Sequence, residues 1–377
     1  MKTEVQLGRV AHGGVVVGRV DDKVIFVTGG LPGERVIVEV TERGRRFDRG
    51  HVVQVLAASP ERVEPPCPVA GECGGCDWQH ASPGLQLGLK TAVVAEQLAR
   101  MAGITWSGRV EAVQPMVSWR TRMRYAVSKG RVGLRGRRSH DVVPLPEEGC
   151  LAAAPGPLPA QLNELTEGTE SLSVVRAASG VSVLADGKVL VGRSQVREKA
   201  GRFSFNVAAS GFWQVHPKAA ETLLKAVLEG LRPRSGDLAL DLYCGSGLFA
   251  AGLDHAGAEV FGVEVDREAV ANARINVPRG RFLALPLAKA LRRLPPEVDL
   301  VVLDPPRRGA GAAVVARVAD LAPRAIAHVA CDPASLARDL ADFATRGYEA
   351  CQIRAFDLFP MTHHVECVAI LRPSANS

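Results

Sequence analysis

A cysteine at the end of one apolar run and a carboxylate inside another are the residues of this chain best placed to make and break covalent bonds. Cys331 lies in HVACDPASLARD (328–339), after the apolar stretch Ala325 to Ala330 and just before Pro333. Proline is favoured in the first turn of a helix, so the thiol is expected on a strand-to-helix corner. Glu366 lies in FDLFPMTHHVECVAIL (356–371), early in the last apolar strand. A carboxylate there needs a partner or a task. A third group, Asp304, emerges from the apolar LVVL of LVVLDPPRRG (300–309), at the strand end where open α/β sheets place their ligands.

The segment DLYCGSGLFAAGL (241–253) supplies a turn for a cofactor. Gly245 and Gly247 allow the backbone to turn tightly after a buried strand and to approach a ligand at a helix N-terminus. Glu264 ends the next strand, 23 residues after Asp241, where a carboxylate can accept hydrogen bonds from both hydroxyls of a ribose. Ala250 stands where the G-x-G-x-x-G pyrophosphate fingerprint needs its third glycine. An adenosine cofactor without phosphates, S-adenosylmethionine, fits this pattern.

Cys67, Cys73 and Cys76 form C-x5-C-x2-C among Gly71, Gly74 and Gly75, with Cys150 as a distant fourth. By spacing alone the set suits an iron–sulfur centre or a zinc site. The remaining Cys244, Cys351 and Cys367 sit in apolar surroundings and are expected in the core. Eight cysteines used in this way do not form a disulfide framework. The start MKTEVQLGRV has no apolar signal core, and no stretch is long enough to span a membrane. A soluble, cytoplasmic protein is expected.

The 377 residues, 47% of them hydrophobic, permit two or three packed units. Residues 1–58 read as short strands (VVVGRV, KVIFVTG, ERVIVEV, GHVVQVLAAS) separated by turn residues, the pattern of a small oligonucleotide-binding-type β-barrel. Leu87, Val94, Leu98 and Met101 at helical spacing, closed by Gly103, predict an amphipathic helix over 85–103. A central α+β region spans 59–200. A β/α alternation from about Leu238 to Ala344, followed by two strands, places a doubly wound α/β sheet within 201–377. The net charge is +6. From Trp119 to His140 there are eight Arg or Lys residues and no acid, and Arg120, Arg122 and Arg124 alternate as a comb suited to a phosphate backbone. Phe212 and Trp213 are candidates to stack on a base.

Taken in order, GFWQVHP (211–217), DLYCGSG, LDPPRRG, ACDPASLARD and DLFPMTHHVE resemble the uracil-5 RNA methyltransferases, which form 5-methyluridine in tRNA and 23S ribosomal RNA. The resemblance covers nearly the whole chain. It implies a class I S-adenosylmethionine-dependent enzyme in which Cys331 adds to carbon 6 of uracil and Glu366 removes the proton from carbon 5. It also implies that Gln214, Tyr243, Gly245, Glu264 and Asp304 contact the cofactor. The barrel matches the family's RNA-binding TRAM domain, and the 85–103 helix the segment that docks on the catalytic domain. Cys67, Cys73, Cys76 and Cys150 match the ligands of a [4Fe-4S] cluster. The complete cysteine set favours 23S rRNA as target over tRNA, and no obligate protein partner is implied. Alternatives are an RNA cytosine-5 methyltransferase and a catalytically silent RNA-binding protein. The chain departs from the family at Asp332 and His216, where asparagines are usual, at Leu248, and in lacking an acidic residue in Arg281 to Leu291. Arg307, Arg308 or the helix N-terminus at Pro333 are expected to lower the thiol pKa of Cys331.

Overall fold

The computed structural model describes residues 1–374. Short β-rich segments build a first sheet from β1 (Lys2–Gln6), β2 (Val10–Ala11), β3 (Val15–Val20), β4 (Lys23–Thr28), β5 (Arg35–Arg43) and β6 (Phe47–Ala57), in the order β1-β5-β6-β4-β3-β2. Val5, Val16, Ile25, Val36 and Val38 fill its interior. The sequence pattern identifies β3 to β6 but not β1. In β1 only Val5 points inward, while Lys2, Glu4 and Gln6 face solvent, and the strand is held by antiparallel pairing with β5.

Helix α1 (Pro83–Ala102) follows, capped by the Ser82 hydroxyl on Leu85 N–H at 3.1 Å and ended by Gly103 at φ 66°. After β7 (Val110–Ala112), a second sheet forms from β8 (Arg122–Ser128), β9 (Arg131–Arg135), β10 (Val142–Pro144), β11 (Ser171–Ala177), β12 (Gly180–Ala185) and β13 (Lys188–Val191), with α2 (Pro159–Asn163) beside β9. The hairpin of β14 (Gln195–Ala200) and β15 (Phe203–Ala208) leads to α3 (Ala219–Leu231).

The remaining elements alternate: β16 (Leu238–Leu242), α4 (Leu248–His255), β17 (Glu259–Glu264), α5 (Arg267–Asn276), β18 (Arg281–Ala284), α6 (Leu287–Ala290), β19 (Leu300–Leu303), α7 (Ala312–Asp320), β20 (Ala325–Ala330), α8 (Pro333–Ala344), β21 (Tyr348–Asp357) and β22 (Glu366–Pro373). Their sheet has the order β18-β17-β16-β19-β20-β22-β21-β7. Strands β16 to β20 are mutually parallel, whereas β22 runs antiparallel to β20. The central strands are apolar along their length because helices cover both faces.

Two elements from the first third of the chain complete this sheet. β7 pairs with β21 at its edge, and α1 packs Val94 and Leu98 into the same apolar cluster as Leu336, Leu340 and Phe343 of α8. Lys90 of α1 is fully buried, with its ammonium 2.5 Å from Asp357 Oδ1 and donating to Phe359 O at 3.0 Å. Removing one partner of such a pair leaves the other charge buried and uncompensated. Lys90→Ala is expected to lower unfolding free energy by roughly 3–5 kcal/mol, read by urea denaturation.

Candidate active site

The carboxyl ends of β16, β17, β19 and β20 bring four sequence-predicted residues to one edge: Tyr243, Glu264, Asp304 and Cys331. The turn after β16 uses left-handed backbone at Tyr243 (φ 65°), Gly245 (φ 52°) and Gly247 (φ 88°). A Cβ on Gly245 would meet nothing within 4 Å, so this turn presents an open backbone face. Glu264 is fixed from below by the amides of Val265 (2.6 Å), Asp266 (3.0 Å) and Gly245 (3.2 Å). Asp241, inside β16, takes Ala250 N–H on Oδ2 at 2.9 Å and has no partner for its buried Oδ1. Burial, reinforced by the neighbouring carboxylates, pushes Asp241 up to about 8 and Asp304 up to about 7. No lysine or arginine opposes the effect at either group. Three neighbouring carboxyl groups at this strand edge suit a ligand that carries hydroxyls and positive charge, as S-adenosylmethionine does.

Cys331 follows β20 directly, half-buried on the corner before α8. Asp332 caps that helix, its Oδ1 accepting Ser335 N–H at 2.7 Å. The antiparallel register pairs Ala330 with Cys367, so the next residue on each strand, Cys331 and Glu366, share the same end of the ladder. Glu366 is only 3% exposed, and burial pushes its carboxyl well above the ordinary range. Among the described residues it accepts no hydrogen bond, and Arg307 is the one cation that favours its charged form.

The thiol corrects one expectation. Burial, followed by the charges of Glu366, Asp304 and Asp332, pushes Cys331 up to about 12, and Arg307 is outweighed. Arg308 acts on Tyr243 instead. Arg307 itself donates toward His364 Nε2 at 3.1 Å, and burial drives that imidazole down to about 3, so it is a neutral acceptor. The loop bearing Arg307 is pinned by Asp339, which accepts from Ala310 (2.7 Å) and Gly311 (3.1 Å) and pairs with buried His328 at 2.9 Å.

A family model described as tRNA (uracil-5-)-methyltransferase matches residues 160–289 and 289–373, and a TRAM domain model matches residues 2–53. A protein of Streptomyces avermitilis described as an uncharacterized RNA methyltransferase is 46% identical across 99% of this chain and 98% of its own length. The chain belongs to the tRNA (uracil-5-)-methyltransferase family. A second RNA methyltransferase, from Corynebacterium glutamicum, is 34% identical over 97% of this chain and 95% of its own. Among solved structures, a Pyrococcus abyssi tRNA (uracil-54, C5)-methyltransferase in complex with S-adenosyl-L-homocysteine shares the fold, with a TM-score of 0.76 and 24% identity, covering 97% of this chain and 99% of that one. The protein is thus an RNA methyltransferase with an N-terminal TRAM domain and an α/β catalytic sheet. None of its described helices is long and apolar enough to cross a membrane.

The rest of the methyltransferase sorts the remaining sequence candidates. The segment 211–217 is held by the second sheet: Arg122 donates to Ala209 O (3.0 Å) and Gly211 O (2.8 Å), and Val215 O accepts from Thr121. His216, in place of the usual asparagine, is buried, with Nδ1 accepting from Lys218 N–H and Nε2 against Pro115 O, both at 3.1 Å. Gln214 is buried beside it, Trp213 is core, and Phe212 is 74% exposed. The arginine comb does not form. Arg122 is drawn inward by Glu198 at 3.1 Å and Arg120 lines an internal cavity, leaving only Arg124 exposed. That cavity is lined by Cys67, Cys73, Cys76 and Cys150 together. Of the three cysteines expected in the core, Cys244 and Cys367 are buried and Cys351 is exposed. The orphaned Oδ1 of Asp241 and the Arg307–His364 contact were not singled out in the sequence.

Two outcomes follow. Glu264→Ala should weaken S-adenosylmethionine binding roughly ten- to a hundredfold, the loss of hydrogen bonds to a charged acceptor, as measured by calorimetry. The raised thiol should make Cys331 a slow target for iodoacetamide in the ligand-free protein. Its rate should climb about tenfold per pH unit through the alkaline range with no plateau near pH 9, because the neutral thiol persists until pH approaches its raised pKa. The tryptic peptide Ala325–Arg338, which holds Cys331 as its only cysteine, reports that rate by mass spectrometry.

Proposed function

We propose that this methyltransferase forms 5-methyluridine in structured RNA, with 23S rRNA as its target, through covalent attack by Cys331. The observation that carries the reading is the placement of Cys331 beside buried Glu366 and Asp304 on the ligand edge of the sheet. Carbon 5 of uracil is a weak nucleophile. Addition of the Cys331 sulfur to carbon 6 moves the ring electrons into an enolate, whose carbon 5 can attack a methyl group. S-adenosylmethionine, when bound, supplies that methyl on a sulfonium centre. Gln214, Tyr243, Gly245, Glu264 and Asp304 would hold it.

Glu366 then takes the proton from carbon 5, the ring double bond re-forms and the carbon–sulfur bond breaks, returning the cysteine. Dry surroundings suit both residues, since a base that holds its proton tightly is an effective acceptor in this last step. Arg307 is placed to favour the ionised form of each. A uridine must be unpaired or extruded to present the face of carbon 6, and exposed Phe212 is positioned on the segment that carries Gln214 to stack on it.

Cys67, Cys73, Cys76 and Cys150 would hold a [4Fe-4S] cluster. All four line one cavity with Met123, Leu134 and Leu145. The Pyrococcus abyssi relative is named for tRNA; the cysteine set argues for rRNA here, in the cytoplasm.

Incubation with 5-fluorouridine-substituted RNA and S-adenosylmethionine tests the chemistry, because fluorine cannot leave as a proton. A denaturant-resistant adduct that needs the cofactor and is lost in Cys331→Ala is expected. No adduct with an RNA shown to bind would turn the reading toward cytosine or a silent RNA-binding role. Primer-extension mapping on rRNA and tRNA decides the target, and iron and sulfide analysis of anaerobically purified protein decides the cluster.

A further inference from the structure

The TRAM barrel touches the nucleophile corner. Between β2 and β3 its tip carries His12, Gly13 and Gly14. His12 Nε2 lies 2.9 Å from Asp332 Oδ2. Gly14 O accepts the Trp78 indole N–H at 3.1 Å, and a Cβ on Gly14 would stand only 2.8 Å from His363 Cβ. The tip is therefore seated against the catalytic domain by shape as well as by charge. Asp332 adjoins Cys331 in the chain, and because its Oδ1 is committed to the α8 cap, its Oδ2 is the oxygen left for His12.

We propose that His12 is a positioning residue that offsets the Asp332 carboxylate and so favours the thiolate of Cys331. The inference rests on the reading of Cys331 as nucleophile. A negative charge beside a thiol disfavours its ionisation. The charged groups that act most on Cys331 are Glu366 from β22, Asp304 and Arg307 from the loop after β19, and Asp332 next to it in the chain; of these, Arg307 favours the thiolate. On the barrel side, Arg9 is engaged with Glu96 of α1 at 2.8 Å, which leaves His12 as the barrel group that faces Asp332. An asparagine at 332 would cap α8 as well and would need no counter-charge. With aspartate at that position, the barrel supplies a hydrogen-bond donor, the His12 Nε2–H, which damps the carboxylate's charge.

The test is a double-mutant cycle on full-length protein without RNA or cofactor, reading alkylation of Cys331 by iodoacetamide at fixed, mildly alkaline pH through the peptide Ala325–Arg338. His12→Ala should slow alkylation roughly two- to fivefold, the range of one partly exposed hydrogen bond. Asp332→Asn should accelerate it. His12→Ala added to Asp332→Asn should then change nothing further. No slowing by His12→Ala alone, or the same change in both backgrounds, overturns the proposal; the second result is what a barrel merely displaced from its seat would give. Alkylation reads the thiol without turnover, so this outcome is separate from the fluorouridine adduct that tests Cys331 as nucleophile.

Discussion

The site depends on one strand running against its neighbours. In a sheet whose core strands are parallel, side chains at the carboxyl ends share one edge and those at the amino ends share the other. Glu366 is the first residue of β22. Were β22 parallel to β20, that carboxylate would lie at the far edge, roughly 20 Å from the thiol at the rise of an extended strand. The antiparallel return through β21 reverses this and sets Glu366 at the end where Cys331 emerges. β22 is buried along Glu366 to Leu371, so its alternation and register are fixed by packing on both faces.

Placing the proposed base, Glu366, beside the proposed nucleophile, Cys331, creates an electrostatic difficulty. Glu366, Asp304 and Asp332 act on Cys331, Asp304 is in turn beside Glu264 and Asp241, and Arg307 acts on both Cys331 and Glu366. The consequence is that the Cys331 thiol and the carboxyls of Asp241, Asp304 and Glu366 are all raised above their ordinary values, by burial first and neighbouring negative charge second. A neutral thiol is a poor nucleophile and resists oxidation. The neutral imidazole of His364 serves this arrangement by accepting from Arg307 without adding a competing positive charge.

What was legible in the sequence follows from what is local. The strand–turn–helix around Gly245, the corner at Cys331 and the caps of α1 are set by residues within a few positions of one another, and the structure has them where those residues put them. Long-range partners were not legible. Arg122 was read as free because Glu198 lies on another hairpin. Cys351 was assigned to the core by its apolar neighbours, but β21 slips register between Ala350 and Gln352, and the extra residue of the bulge turns outward. The direction of the Cys331 pKa was misjudged because burial of the corner, which raises it most, comes from the packing of distant segments, whereas the arginines stand in a recognisable motif. β7 is three residues long and joins its sheet across more than two hundred residues, which leaves no periodicity to detect.

The segment that carries the cysteines is part of the same mechanical unit as the base. Asp77, next to Cys76, takes the backbone N–H of His363 at 3.0 Å and its Nδ1 at 2.6 Å, while Arg137 binds both Asp77 (3.0 Å) and Cys76 O (2.7 Å). The amides of Asp77 and Trp78 donate to Met361 O. Residues 361–364 lead directly into Glu366, and Lys90 anchors Asp357 and Phe359 just before them. The loop that ends in Glu366 is thus clamped from the cysteine segment on one side, through the Asp77 carboxylate and two backbone amides, and from α1 on the other.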